Sequence, residues 1–193
     1  MIEQYFKDVY DEKLAEGAII NDRHTGFKND YLTLHCLLRK YNPATVFECG
    51  THVGFGTKII CNAVPEATVY SLDLPDDEAE VSKQHPLSEG KPGVGVECDL
   101  PFVQLRGDSR YFNFEEYPCE AYWIDAEHTK ENVRHETEQI MVRCYPDLVI
   151  WHDTDMTEVM DGILEAMARN QIIRDFYRFY RIVDTRITYA LKK

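Results

Sequence analysis

The stretch TVFECGTHVGFGT, Thr45–Thr57, decides how the chain is read. Thr45–Cys49 is a short apolar run suited to a buried strand. Gly50, Gly54 and Gly56 punctuate the turn after it, and residues 55–64 carry a helical pattern that Pro65 stops. Glycine permits positive φ and lets a ligand come close to the backbone. A glycine-rich turn that leaves a strand and opens a helix, with an acid about 20 residues further on, favours a nucleoside whose ribose hydroxyls meet that acid. Here the acid is Asp73. The spacing is not G-x-G-x-x-G, which argues against an NAD-type dehydrogenase, and no P-loop lysine closes the turn, which argues against ATP or GTP.

Outward from this unit, four more apolar runs follow: Thr68–Leu72, Phe102–Leu105, Ala121–Ile124 and Leu148–Trp151. Strands apolar on both faces belong to parallel sheets covered by helices. Helical patterns fill residues 30–40, 129–144 and 157–169, and the first 20 residues are expected to hold one more helix. In 129–144, Val133, Thr137, Ile140, Met141 and Cys144 share a stripe, while Lys130, Glu131, Arg134, Glu136 and Glu138 lie mostly off it. Thr129 suits the N-cap and Glu131 the positive end of that helix. FYRFYRIVDT, residues 176–185, and ITYALKK, residues 187–193, read as two adjacent strands joined tightly around Arg186, with Tyr177, Phe179 and Tyr180 packing a sheet face. Residues 75–101, rich in proline, glycine and charge, form a long loop with a short helix over Asp76–Gln84. The expected order is helix, five βα units and a terminal β-hairpin. This makes a single α/β domain over residues 1–193, with N-terminal helices in 1–41 and the core in 42–193.

The composition suits one globular core: 193 residues, 44% of them hydrophobic. The formal net charge of −13 repels phosphate backbones, so nucleic acid is not an expected partner. No apolar run reaches the roughly 20 residues of a membrane span. The start, MIEQYFKDVYDEK, lacks a signal peptide's apolar stretch. Cys36, Cys49, Cys61, Cys98, Cys119 and Cys144 are scattered without a C-x-x-C pair, so reduced thiols and a cytoplasmic setting are expected.

Each apolar run delivers an acid at or just past its end: Glu48, Asp73, Asp108 in Gly107-Asp108-Ser109, Asp125, and Asp153 after His152. In an open parallel sheet those ends share one edge, and that edge binds ligands where the strand order switches. One such acid is often a helix cap. Five together point to a shared ligand site.

These residues resemble a known family. Glu48-x-Gly50-x-x-x-Gly54-x-Gly56 looks like motif I of class I S-adenosylmethionine-dependent methyltransferases. Gly107-Asp108-Ser109, Trp123-Ile124-Asp125-Ala126-Glu127-His128 and Val149-Ile150-Trp151-His152-Asp153 resemble one small-molecule branch of it, with I-D-x-x-H and H-D at strand ends. The resemblance covers residues 45–165. It implies a Rossmann-like three-layer sandwich with a mostly parallel seven-stranded sheet and an antiparallel C-terminal strand. It also implies S-adenosylmethionine as cofactor and a small-molecule acceptor, with oxygen the expected atom, in a chain that could form a homo-oligomer.

Carried over, the resemblance places Gly50, Thr51, Gly54 and Gly56 along the methionine and ribose, and Glu48 behind the motif and the cofactor's amino end. Asp73 would meet the ribose hydroxyls. Gly107, Asp108 and Ser109 would flank the adenine, and Asp125 would sit near the sulfonium. One departure is Tyr145-Pro146-Asp147, where the family usually has Gly-Gly before this strand.

Catechol-type members hold a divalent metal with acids at the positions of Asp125 and Asp153, and here His152 stands beside them. Magnesium prefers oxygen ligands, so histidine suits manganese, iron or zinc better. His128 and His152 are alternatively the acid–base pair, since imidazole titrates near neutrality. Asp125, His152 and Asp153 as a metal set would also allow a metal-dependent hydrolase or oxygenase on this fold. A non-catalytic cofactor-binding relative is the third reading.

Overall fold

The computed structural model describes residues 1–19, 27–75, 94–95 and 97–193. Among them, eight strands make one sheet: β1 (Ile2–Gln4), β2 (Thr45–Cys49), β3 (Thr68–Asp73), β4 (Val103–Arg106), β5 (Ala121–Ile124), β6 (Leu148–Trp151), β7 (Tyr177–Ile182) and β8 (Ile187–Lys192). Their spatial order is β1-β7-β8-β6-β5-β2-β3-β4. β8 runs antiparallel to β6 and β7, and the other pairs are parallel. The helices are α1 (Phe6–Val9), α2 (Lys28–Tyr41), α3 (Phe55–Ala63), α4 (Lys130–Gln139), α5 (Thr157–Arg169) and α6 (Gln171–Phe176).

Successive residues of a strand face opposite sides of the sheet, which divides the core in two. Val46, Trp123 and Ile150 pack on one side with Leu34, Leu37 and Leu38 of α2 and Ile59 and Ile60 of α3. Phe47, Tyr122, Ile124, Val149 and Trp151 pack on the other with Val133 of α4 and Val159, Ile163 and Ala166 of α5. This is the expected three-layer α/β architecture. α4 and α5 cross closely because position 162 is glycine: a Cβ there would lie 2.8 Å from the Lys130 carbonyl oxygen and 2.9 Å from the Val133 Cβ.

Several expectations are corrected. The sheet has eight strands rather than seven, because Ile2–Gln4 pairs with Tyr180–Ile182 of β7, so the N-terminal stretch is not purely helical. The order is not five complete βα units either. Between β4 and β5 the chain makes only a 3-10 turn, Phe114–Glu116, and Phe112, Phe114 and Tyr117 cover that sheet face by packing tilted or edge-on against Phe47. The short helix over Asp76–Gln84 lies outside the described residues. The 129–144 helix is α4 followed by a π turn over Ile140–Cys144. Thr129 occupies its N-cap position without a side-chain capping bond. Glu158 of α5 instead accepts a bond from the Lys130 amide at 3.2 Å. Tyr145 takes the left-handed conformation, φ 53°, which glycine would adopt without strain.

The hairpin β7–β8 forms as expected, with Phe179 stacked on Trp151 and Tyr180 on Tyr189. All six cysteines are free thiols. No helix among the described residues is long and apolar enough to cross a membrane.

Candidate active site

Ladder hydrogen bonds continue past the strand ends and bring the predicted acids into register along one edge. The Gly50 amide donates to the Leu72 carbonyl at 2.8 Å, and the Gly107 amide to that of Asp73 at 2.9 Å. The Asp125 amide donates to the Cys49 carbonyl at 2.9 Å, and the His152 amide to that of Ile124 at 3.1 Å. The connections from β2 and β5 lead to opposite halves of the sheet, so the switch point lies between them.

The glycine-rich turn sits at that point. Gly50 has φ 96°, and a Cβ on it would come 2.1 Å from the Asp125 carbonyl oxygen. The turn therefore nests against the segment after β5 only because a side chain is missing. The His52 amide donates to Asp73 Oδ2 at 2.7 Å and the Leu74 amide to Oδ1 at 2.8 Å, so the Asp73 carboxylate is fixed facing the turn. Each oxygen keeps a lone pair for a ligand hydroxyl.

Glu48 lies beneath the turn, 1% exposed, rather than on the open rim. Thr57 and Ser71 each donate a hydroxyl to its Oε2 at 2.5 Å, and Ser71 shares a further hydroxyl bond with Thr51 at 2.6 Å. Burial pushes the Glu48 carboxyl up to about 8 despite those bonds. Its Oε1 would meet a Cβ on Gly56 at 2.6 Å, so glycine at 56 makes room for this carboxyl.

Asp108 is gripped by Arg110 through Nε at 2.9 Å and Nη2 at 2.5 Å, which holds its carboxyl below the usual range. Next to it, Ser109 is within 3.4 Å of the Asn132 amide, which donates to Glu136 Oε1 at 3.0 Å. Glu136 is fully buried, and burial pushes its carboxyl up to about 7. The helical pattern leaves Glu136 off the apolar stripe, yet the fold buries it.

A cluster of charges surrounds His152. Its Nδ1 is 3.1 Å from Asp125 Oδ1 and 3.5 Å from Asp153 Oδ1, and its Nε2 is 3.2 Å from Asp30 Oδ2. Burial alone would lower the imidazole pKa, but these carboxylates override it and hold the ring protonated. The same contacts take Asp125 the other way: burial raises its carboxyl, and His152 and His128 more than reverse that. His128 Nε2 stands 3.2 Å from Asp153 Oδ2 and 3.6 Å from Asp125 Oδ1, and its bond to Asp125 raises it above an ordinary histidine. Asp153 adopts φ 51°, a strained conformation of the kind concentrated at functional sites.

Two members of this cluster had no signal in the sequence. Asp30 is the third residue of α2, and Arg186 stands between the last two strands. Arg186 donates its amide to Asp30 Oδ1 at 2.9 Å and its Nε to Oδ2 at 3.0 Å, and its Nη1 pairs with Asp153.

Asp125, His152 and Asp153 offer three donor atoms within 4.8 Å of one another, which is compact enough for one metal ion. As arranged they do not fit one. His152 Nε2 is taken by Asp30, its Nδ1 faces Asp125 directly, and Asp153 already pairs with the Arg186 guanidinium.

Comparison with known proteins bears on the family and the fold. A Mycobacterium tuberculosis protein named "Probable O-methyltransferase" is 37% identical over 51 residues, which span 26% of this chain but only 22% of that protein. The O-methyltransferase from Bacillus cereus, solved in complex with SAH, has a TM-score of 0.59 at 16% identity and covers 97% of this chain and 90% of its own. The MycE methyltransferase of the mycinamycin biosynthetic pathway, solved with Mg, SAH and mycinamycin VI, has a TM-score of 0.55 at 16% identity. The match covers 81% of this chain and 47% of MycE, so this chain spans less than half of that protein. At such identities the structures share the fold. The family model described as a methyltransferase domain matches residues 47–154, which runs from the glycine-rich turn to the His152–Asp153 corner, and the chain belongs to that family.

Proposed function

We propose that this chain transfers a methyl group from S-adenosylmethionine to an oxygen of a small-molecule acceptor. The observation that carries the reading is one edge holding two things side by side: a glycine-rich turn faced by a pinned carboxylate, and a charged cluster containing an accessible imidazole.

The cofactor fits the residues present. Gly50 and Gly54 set the course of the turn: their Cβ positions would fall 2.1 Å from the backbone of Asp125 and 2.8 Å from that of Gly95. Asp73 keeps acceptor capacity for both ribose hydroxyls. Gly107, Asp108 and Ser109 border the adenine side, and Glu48 braces the turn from below. When bound, the cofactor supplies an electrophilic methyl on a sulfonium.

What the chain contributes is orientation and proton handling. Asp125 places negative charge beside the sulfonium position. His128 is 37% exposed, far more open than His152 at 5%, so it is the imidazole that an acceptor hydroxyl reaches. Its neutral form, populated above its raised pKa, takes the hydroxyl proton at Nδ1, because Nε2 is buried against Asp125 and Asp153. His152, buried and charged, positions Asp125 and does not act as a base.

Asp73→Ala removes both ribose acceptors while leaving the sheet intact. SAH affinity measured by calorimetry is expected to fall about 10- to 100-fold, the cost of one or two hydrogen bonds to a charged group. Equal affinity in wild type and variant would contradict the placement of the ribose.

A further inference from the structure

The cluster around His152 holds three carboxylates, Asp30, Asp125 and Asp153, within reach of one imidazole. Carboxylates gathered at such distances require compensating positive charge. In this chain the β7–β8 turn adds a fixed positive charge to that of His152. Arg186 grips both oxygens of Asp30, one through its amide and one through Nε. Its Nη1 pairs with Asp153, and its Nη2 lies 3.2 Å from His152 Nε2. Phe27 closes the outer side, with the guanidinium 3.8 Å from its ring centroid.

We propose that Arg186 is the built-in cation of this site. It pairs with Asp153 and lies against His152 Nε2, while the ring's Nδ1 faces Asp125 and Asp153. Arg186 so supplies the positive charge that a divalent metal would otherwise bring. The guanidinium cannot swing aside without breaking its contacts to Asp30 and leaving the face of Phe27. It stays charged at any working pH, so its presence does not depend on conditions. Asp30 becomes a positioning residue: its carboxylate anchors Arg186 and His152 together. Sequence spacing alone could not distinguish this from a metal centre, because Asp125, His152 and Asp153 have the spacing of ligands in either case.

The inference takes its catalytic meaning from the methyltransferase reading, yet its test does not depend on that reading. The full chain is titrated with Mn2+ by calorimetry, in parallel with SAH. Wild type is expected to show no saturable Mn2+ binding up to about 1 mM. Arg186→Leu opens Asp153 and His152 and is expected to bind Mn2+ at least about tenfold more tightly than wild type. Arg186→Lys keeps the charge and is expected to remain refractory. One-to-one Mn2+ binding by wild type at micromolar concentration would overturn the proposal, as would a folded Arg186→Leu that gains no affinity. If Arg186→Leu does not fold, the wild-type titration decides by itself. Loss of SAH binding in the parallel series would count against the proposed cofactor and leave the metal result standing.

Discussion

Asp125→Asn is expected to destabilise the protein by about 3 kcal/mol at pH 6, the typical cost of removing one partner from a buried ion pair. Asp125 is the carboxylate shared by His128 and His152, and its side chain is 23% exposed. Its removal leaves His128, His152 and Arg186 facing only Asp30 and Asp153. The pH dependence follows from the directions of the shifts. A carboxyl held below its ordinary value contributes stability above that ordinary value and loses it as pH falls through the folded one. The two imidazoles, raised in the folded state, contribute fully below their ordinary value of 6.5. Near pH 6 both halves of the cluster therefore act. Below about pH 4 the gap between wild type and variant should narrow as the unfolded chain retains its carboxyl protons. Urea unfolding at pH 6 and pH 3 checks this, and equal midpoints at pH 6 would contradict it.

Glu48→Gln is expected to change stability in the opposite sense. Folded Glu48 keeps its proton up to about 8, whereas the unfolded chain releases it near 4.5. Wild type should thus lose stability as pH rises between those values, by about 1.4 kcal/mol for each unit of separation. Glutamine has no such proton and still offers a carbonyl to Thr57 and Ser71. The variant is expected to gain on wild type between pH 5 and pH 8, on the order of 3 kcal/mol at the upper end. Denaturant curves at both pH values measure the difference. A constant offset between the two proteins would show that Glu48 is ionised in the folded state.

The core strands were readable because β5 and β6 are buried on both faces, which leaves uninterrupted apolar runs in AYWI and LVIW. β1 was not readable. It is three residues long, Ile2 is exposed, and its partner β7 lies at the far end of the chain, so no local alternation marks it. The missing helix after β4 has a different cause: aromatic side chains from the 3-10 turn cover the face that a helix would cover elsewhere, and an aromatic-rich loop carries no periodicity. At the candidate site, Gly50, Asp73, Asp125, His128, His152 and Asp153 were legible because topology forces strand ends to one edge. Asp30 and Arg186 were not, because they reach the cluster through a helix start and a hairpin turn whose approach only tertiary packing determines. Glu136 misled because a carboxyl off the apolar stripe reads as solvated, whereas here Asn132 and burial hold it inside.

The most direct test of the account is a crystal structure of the wild-type chain grown with SAH. The ligand is expected in the crevice between the ends of β2 and β5, with its ribose on Asp73, its methionine along Gly50–Gly54 and its sulfur on the side of Asp125 and His128. SAH bound away from this edge, or a crevice that stays free of it at saturating concentration, would contradict the proposed chemistry.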